Sequence, residues 1–380
     1  MKYMGSKRAM LLNGLGTLLE REIVGATRFV DLFTGSAAVA NHVAQKYDVP
    51  VIASDLQAYS VVLANAVIRR RRKIDWRKHW ISWHERAATL VRSLSDLPGT
   101  PRDITKASVK KCRLWCANQS ALRITAAYGG HYFSPRQAVW IDALRATLPK
   151  NKTCRDVALA ALIQAASQCA AAPGHTAQPF QPTKTAKKFL KEAWARNVVS
   201  KTMTAFVRLS ETAARKEGSA NIIDANLLAK SLRKDDLVFI DPPYSGVHYS
   251  RFYHVLESIA RGRSGKVVGV GRYPEERYRP KSKYSLQSEA KDALDQLLKT
   301  IARRGSKIIL TFPDHKCSNG LSGDMVCKVA RKHFMVKRKS VASRFSTLGG
   351  TSDNRGNEAG RAARRHAREL VLTLTPISEP

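Results

Sequence analysis

The sequence predicts an α/β protein, a mostly parallel sheet flanked by helices and interrupted by an inserted helical domain. Three observations predict it. Near the amino terminus, a short apolar run that ends in a turn and leads into a helix-forming stretch occurs twice in succession. From about residue 74 to 218 this rhythm gives way to amphipathic helices, with no run that alternates like a strand. Strand-like runs then resume and continue to residue 374, so residues 1–73 and 219–380 are expected to form two parts of one α/β domain, with 74–218 inserted between them.

Taken in order, Arg28 to Phe33 is an apolar run closed by Thr34-Gly35-Ser36, after which Ala37 to Ala44 has helix-forming composition. Val49 to Ser54 is a second strand ending at Asp55, and a helix follows through about Arg70. Such strand–helix–strand units make parallel sheets. In the insertion, turns at Pro98-Gly99, Tyr128-Gly129-Gly130 and Pro173-Gly174 separate the helices. Val157 to Ala172 is the most apolar stretch but carries Gln164, Ser167 and Gln168. It falls short of the roughly 18 uninterrupted apolar residues of a membrane span and reads as a buried Ala-rich helix. Strand patterns return at Asn221 to Ile223, Leu237 to Ile240, Lys307 to Phe312, Phe334 to Val341 and Glu369 to Leu374. Ser343 to His366 is a Gly/Ser/Arg-rich connection of the length that is usually functional or disordered.

Composition narrows the class of protein. With 380 residues, 44% hydrophobic and 25% charged, the chain has enough apolar material for a sizeable core. Lys7-Arg8 followed by Met10-Leu11-Leu12 faintly imitates a signal peptide. Asn13 interrupts it and no small-residue cleavage site follows, so no export is expected. Six cysteines, at 112, 116, 154, 169, 317 and 327, are too few for a disulfide scaffold and have no zinc-ligand spacing. Reduced buried thiols, no metal and a cytoplasmic location are the expectation.

Lys and Arg number 65 against 30 Asp and Glu, a formal net charge of +35. Such a chain suits a polyanionic partner, because basic side chains on phosphates release counterions. Charge alone leaves DNA, RNA and an acidic membrane open. Basic groups cluster at Arg69 to Lys73, Lys184/Lys187/Lys188/Lys191, Lys328 to Lys339 and Arg361/Arg364/Arg365/Arg368. The second and fourth have helical i, i+3, i+4, i+7 spacing, and Leu190, Trp194 and Val198 form an apolar stripe beside the lysines.

Three segments carry chemistry. Asp241-Pro242-Pro243-Tyr244 directly follows the apolar run Leu237 to Ile240. Two prolines in succession fix φ and remove backbone donors, which holds the Asp241 carboxylate and the Pro242 carbonyl stiffly at the carboxyl edge of a sheet, where ligands bind. A carboxylate and a carbonyl there can both accept hydrogens from an exocyclic amine, and Tyr244 offers a face for a flipped base. Asp31 to Val39 places a small-residue turn at the head of a helix, with Asp55 at the end of the next strand to accept from a ribose diol. A full G-x-G-x-x-G fingerprint is absent, which argues against a dinucleotide. The third segment is Lys2 to Arg8.

Together these segments resemble the amino-methylating DNA adenine methyltransferases in which cofactor motifs come first, a target-recognition domain is inserted and the catalytic motif follows. Lys2, Tyr3, Gly5, Ser6 and Lys7 match the family's K-[YW]-x-G-[SG]-K segment. Asp31, Leu32, Phe33, Gly35 and Ser36 match its D-L-F-x-G-[SA]-G turn, and Asp241 to Tyr244 its D-P-P-Y motif. Asp224 matches an acidic residue that precedes the catalytic motif. Ala37 stands where the family's turn usually has its second glycine, and since alanine resists the left-handed region, an opened turn or weaker cofactor binding is expected there.

The resemblance implies a Rossmann-like methyltransferase sheet whose last strand is antiparallel, with S-adenosylmethionine as cofactor and duplex DNA as partner. It implies a cofactor site of Tyr3, Lys7, Asp31, Phe33, Gly35, Asp55 and Asp224, in which Lys7 and Tyr3 reach the methionine end. Asp241 and the Pro242 carbonyl would accept the hydrogens of a flipped adenine's 6-amino group, with Pro243 and Tyr244 completing the motif. DNA contacts are expected from Lys184, Lys187, Lys188 and Lys191 and from Arg361, Arg364 and Arg365. A cognate restriction endonuclease, a monomeric state and no membrane partner complete the expectation. The rival readings are a cytosine 4-amino or RNA adenine methyltransferase, and a catalytically silent DNA-binding relative.

Overall fold

The computed structural model describes residues 7–343 and 367–377. The main sheet first takes β1 (Arg28–Asp31), β2 (Val51–Asp55), β3 (Ser219–Ile222) and β4 (Asp236–Ile240). After a short hairpin, β5 (Val267–Val268) with β6 (Tyr273–Pro274), it takes β7 (Lys307–Pro313), β8 (Phe334–Ser343) and β9 (Ala367–Pro376). The seven strands lie in the order β3-β2-β1-β4-β7-β9-β8. Five are parallel neighbours, and β9 runs antiparallel to β7 and β8. The expected parallel sheet with an antiparallel last strand is what the chain forms.

The parallel strands are apolar because both faces are covered; every residue of β4 is buried. The helix Ala290–Arg304 lays Leu294, Leu297, Leu298 and Ile301 onto Val238, Ile240, Ile308 and Leu310. Each such fully buried aliphatic side chain contributes about 1.5–3 kcal/mol. β1, β2 and β3 succeed one another toward one edge, whereas β4 lies on the other side of β1. The sheet therefore has a switch point between β1 and β4, and open α/β sheets bind ligands beyond the carboxyl ends of the strands at such points.

The described chain divides into two compact units. One holds the sheet, in residues 7–71, 214–249, 281–343 and 367–377. The other consists of Arg72–Ala213 and Ser250–Pro280. Between Arg72 and Ala213 there is no strand, only helices, among them the buried Lys152–Cys169 that the Ala-rich composition predicts. The addition of Ser250–Pro280 to the helical unit has no counterpart in its composition. All six cysteines are buried and none forms a disulfide. No helix among the described residues is long and apolar enough to cross a membrane.

Ala37 corrects one expectation. It does not avoid the left-handed region: φ is +58° and ψ is 22°, and the turn stays closed by Ala37 N–H donating to Thr34 O at 2.8 Å. The conformation costs an alanine about 1–2 kcal/mol. Complete burial of the methyl group, at 0% exposure, offsets part of that cost.

Candidate active site

β1 and β4 pair in parallel with Asp31 opposite Phe239, and Leu32 N–H donates to Phe239 O at 3.1 Å. This register brings the turn after β1 beside the corner after β4. The two motifs that lie two hundred residues apart in sequence thus share one sheet edge, at the switch point.

Asp241 is held from two sides. Lys7 Nζ lies 2.9 Å from its Oδ1, and Thr311 Oγ1 of β7 donates to the same oxygen at 2.8 Å. An ion pair and a hydrogen bond both engage Oδ1; among the described residues, Oδ2 has no hydrogen-bond partner. The Asp241 side chain is 18% exposed, so the carboxylate is reachable from solvent. Burial raises its pKa, with Lys7 opposing and Glu369 adding to the rise. Lys7 Nζ also lies 3.0 Å from Glu369 Oε2 of β9. Burial disfavours the ammonium, but the two carboxylates outweigh it and hold Lys7 protonated above the ordinary lysine range.

The rest of the corner is fixed as firmly. Buried Asn319 donates through Nδ2 to Pro243 O at 2.9 Å and to Tyr284 O at 3.0 Å. Half-buried Tyr244 sits edge-on to Tyr249 with ring centroids 6.3 Å apart, and burial pushes its phenol up to about 12. Phe33 packs edge-on against Tyr284 at 5.0 Å.

Acids gather along this edge. Asp55, at the end of β2, accepts from Gly35 N–H through Oδ2 at 2.8 Å and from Gln57 N–H through Oδ1 at 2.9 Å, which ties the next strand to the turn. Asp224, just after β3, caps the helix Ala225–Ala229 by accepting from Asn226 N–H. Asp31 is buried, and desolvation together with Asp241 and Asp55 raises its pKa to about 8, against a hydrogen bond from Phe33 N–H. Four aspartates stand on neighbouring strand ends; with Asp31 keeping its proton up to about pH 8, the other three carboxyl groups make, in a chain of net charge +35, a local environment suited to a cation. With the aromatic edge of Phe33 and Gly35 at φ +51°, that donor set fits a nucleoside bearing a positive charge.

The raised Asp31 pKa yields a sign for stability. The folded state keeps a proton that the unfolded chain releases above about pH 4, so stability falls as pH rises from there through about 8. Asp31→Asn keeps the acceptor for Phe33 N–H and removes the titration. Its unfolding free energy is expected to exceed that of the native chain at pH 9 by about 2 kcal/mol or more, with the difference vanishing near pH 4 in denaturant titrations.

Most of the sequence-derived site residues converge here: Lys7, Asp31, Phe33, Gly35, Asp55, Asp224 and Asp241 to Tyr244. Tyr3 lies outside the described residues. Lys7 has its ammonium on Asp241 and Glu369, at the corner after β4. Glu369, Thr311 and Asn319 were not foreseen, since nothing in the spacing of a terminal strand marks one acid for a lysine at the other end of the chain.

In the helical unit, the lysine group is only partly as the spacing suggests. Lys187, Lys188 and Lys191 are exposed on the helix Lys187–Ala195, but Lys184 precedes it. Thr183 closes a turn there by accepting from Ala186 N–H through Oγ1, so the helix starts three residues late. Leu190 and Trp194 are buried from this helix, while Val198 begins the next one. Arg361, Arg364 and Arg365 lie outside the described residues.

The same unit carries a second basic surface. A cleft of about 720 Å³ is lined by Arg123, Arg261, Arg263, Arg277, Arg279 and Tyr278, among others. Its single acidic wall residue, Glu257, is engaged by Arg261 Nε at 2.6 Å. Arg263 and Arg279 have no carboxylate partner among the described residues, and Arg279 Nε is buried without a hydrogen-bond partner there. The signal was present as Arg261-Gly-Arg263 and Arg277-Tyr-Arg279. Only the hairpin β5–β6, turned by Gly265 and Gly269 at positive φ, connects the two pairs.

Comparison with known proteins agrees with this geometry. Residues 3–120 and 157–304 match the family model described as D12 class N6 adenine-specific DNA methyltransferase. The chain is 26% identical over 326 residues to the modification methylase StsI of Streptococcus sanguinis. It is 23% identical over 307 residues to the modification methylase LlaI of Lactococcus lactis subsp. lactis. These alignments cover 82% and 79% of the chain but 44% of each relative, so the chain spans under half the length of the curated relatives it matches.

Proposed function

The chain belongs to the D12 class N6 adenine-specific DNA methyltransferases, and from that membership we propose that it methylates the 6-amino group of an adenine flipped out of duplex DNA at a specific site. The observation that carries the proposal is the corner at Asp241. A carboxylate whose Oδ1 is engaged by the Lys7 ion pair and the Thr311 hydrogen bond, and whose Oδ2 is left as an acceptor among the described residues, stands beside the turn of β1 at the sheet's switch point.

Membership of the family implies S-adenosylmethionine, which when bound supplies a methyl group on a positively charged sulfur. Phe33 and Gly35 would line its turn, Asp55 would accept from its ribose, Asp224 would lie near its adenine, and Asp31 would stand beside the turn as a protonated carboxyl. Asp241 Oδ2 and the Pro242 carbonyl accept the two hydrogens of the target amine, concentrating its lone pair on nitrogen. Oδ2 can also take up the proton the amine must shed. Pro242 and Pro243 hold the acceptors still, so that little reorganisation accompanies the reaction. Tyr244 provides the stacking face for the extruded base. No covalent adduct with the protein is required, in keeping with six buried thiols.

In this reading the helical unit recognises DNA, with the arginine cleft and the exposed Lys187, Lys188 and Lys191 on the phosphates. Such contacts position the protein without specifying bases. Arg263→Ala and Arg279→Ala are each expected to weaken binding to any duplex alike and to lower the slope of log affinity against log salt by about one. Fluorescence anisotropy across a salt series measures both. The name modification methylase borne by both relatives supports pairing with a restriction endonuclease, and work in the cytoplasm as a monomer suits that role.

The test is sequencing of modified bases in DNA from cells expressing the chain. N6-methyladenine within one short recurring sequence is expected. Methylcytosine instead, or no modified base beside demonstrable DNA binding, overturns the proposal.

A further inference from the structure

We infer that Glu369 is a positioning residue for methyl transfer, acting on Asp241 through the ammonium of Lys7. The inference rests on the reading of Asp241 as the acceptor of the amine's hydrogens. Glu369 pairs with Pro313 in the register of β9 on β7, while Asp241 follows β4 on the other side of β7. The two carboxylates thus come from strands that are not neighbours, and Lys7, from the amino-terminal segment, joins them. Its Nζ is 2.9 Å from Asp241 Oδ1 and 3.0 Å from Glu369 Oε2. Lys7 and Glu369 are each 4% exposed.

Charge arithmetic gives Glu369 its role. Lys7 and Asp241 alone would be a neutral pair, in which the ammonium draws the carboxylate's electron density to itself and blunts it as an acceptor. With Glu369 the trio carries one net negative charge. Two of the three members are sealed from solvent, so that excess is expressed at the carboxylate that opens to the site. Glu369 touches no reacting group, and it also fixes the lysine. An ammonium drawn toward one carboxylate only would be free to swing with Asp241, whereas one held between two strands keeps Oδ1 in place and with it the direction of Oδ2. Among the described residues, the ionisable groups around Asp241 are Lys7 from the amino-terminal segment, Glu369 from β9, Asp31 from β1 with Asp55 behind it, and Tyr244 in its own turn. Of these, Lys7 favours the ionised Asp241, and Glu369 and Asp31 oppose it.

Glu369→Gln, nearly isosteric, tests this. The expected result is kcat lower by about tenfold or more, with KM for S-adenosylmethionine within about twofold. Because the trio becomes neutral, the acid limb of the kcat profile is expected at lower pH than in the native enzyme. Glu369→Asp, which keeps the charge but withdraws it, is expected to leave the acid limb in place while kcat stays reduced. An independent readout is the titration of 13C-carboxyl-labelled aspartates by NMR, with the Asp241 resonance identified by its absence in Asp241→Asn. Its midpoint is expected to fall in Glu369→Gln. Unchanged kcat and an unmoved Asp241 titration overturn the inference. So does a loss of activity that only tracks the unfolded fraction seen by circular dichroism. If Glu369→Gln does not fold, the aspartate variant decides: native kcat in Glu369→Asp overturns the inference. Failure of the native enzyme to methylate adenine is a separate outcome and overturns the underlying reading instead.

Discussion

Asparagine in place of Asp241 is expected to lower kcat by about 10³-fold, roughly 4 kcal/mol of transition-state stabilisation, with the protein still folded. The magnitude follows from how the side chain is held. The Lys7 ammonium faces the Oδ1 position and Thr311 Oγ1 donates to it, so the introduced amide must place its carbonyl oxygen there. Its nitrogen then occupies the position of Oδ2. A donor faces the target amine where an acceptor is required, and one of the two hydrogens that must be accepted is repelled instead. The fold survives because Lys7 retains Glu369 and an amide oxygen. Single-turnover methylation of a substrate duplex measures the chemical step apart from product release. Activity within about tenfold of native would contradict the assignment of Asp241.

Lys7→Met carries the second large effect, on stability. Removal of the ammonium leaves Asp241 and Glu369 facing each other without a counter-charge, and breaking a buried ion pair in this way costs about 3–5 kcal/mol. The melting temperature of the sheet-bearing unit is expected to drop by about 10 °C at pH 8. The sign of the pH dependence follows: without Lys7 the Asp241 carboxyl keeps the upward push of burial and of Glu369 and loses its counter-charge, so stability returns as pH falls and it takes up a proton. Lys7→Met/Glu369→Gln, with one buried charge fewer, is expected to be more stable at pH 8 than Lys7→Met alone. Calorimetry at pH 8 and pH 5 on the three proteins decides it; a Lys7→Met protein as stable as the native chain at pH 8 would show that the trio is not coupled.

Much of the fold was legible because the parallel strands announce themselves. Leu237 to Ile240 is apolar throughout since both faces are covered, and the prolines after it can only end a strand. The turn from Asp31 to Ser36 was legible for the same reason, an apolar run broken by small residues at the head of a helix. Local patterns do not report partners distant in sequence. Nothing about Lys7 distinguishes a buried lysine from the other basic residues around it, and Glu369 opens an otherwise ordinary strand. Strands β5 and β6 have two residues each, too short for any alternation to register, so the arginines they bring together read as scattered charge. Lys184 missed its helix because Thr183, by capping the turn, outcompetes the helical spacing of the lysines. Ala37 shows the converse: the residue type argued against its own backbone conformation, and the surrounding turn prevailed.

Among the described residues, the helical unit is threaded from two separate stretches, and the chain passes between units at Arg71/Arg72, Ala213/Ala214, Tyr249/Ser250 and Pro280/Lys281. A recombination event that exchanged Arg72–Ala213 with that of a relative would leave Ser250–Pro280 behind, a native flap stitched to a foreign bundle. On the role proposed for the helical unit, a new specificity grafted onto this chain calls for a paired transplant with four matched seams among the described residues.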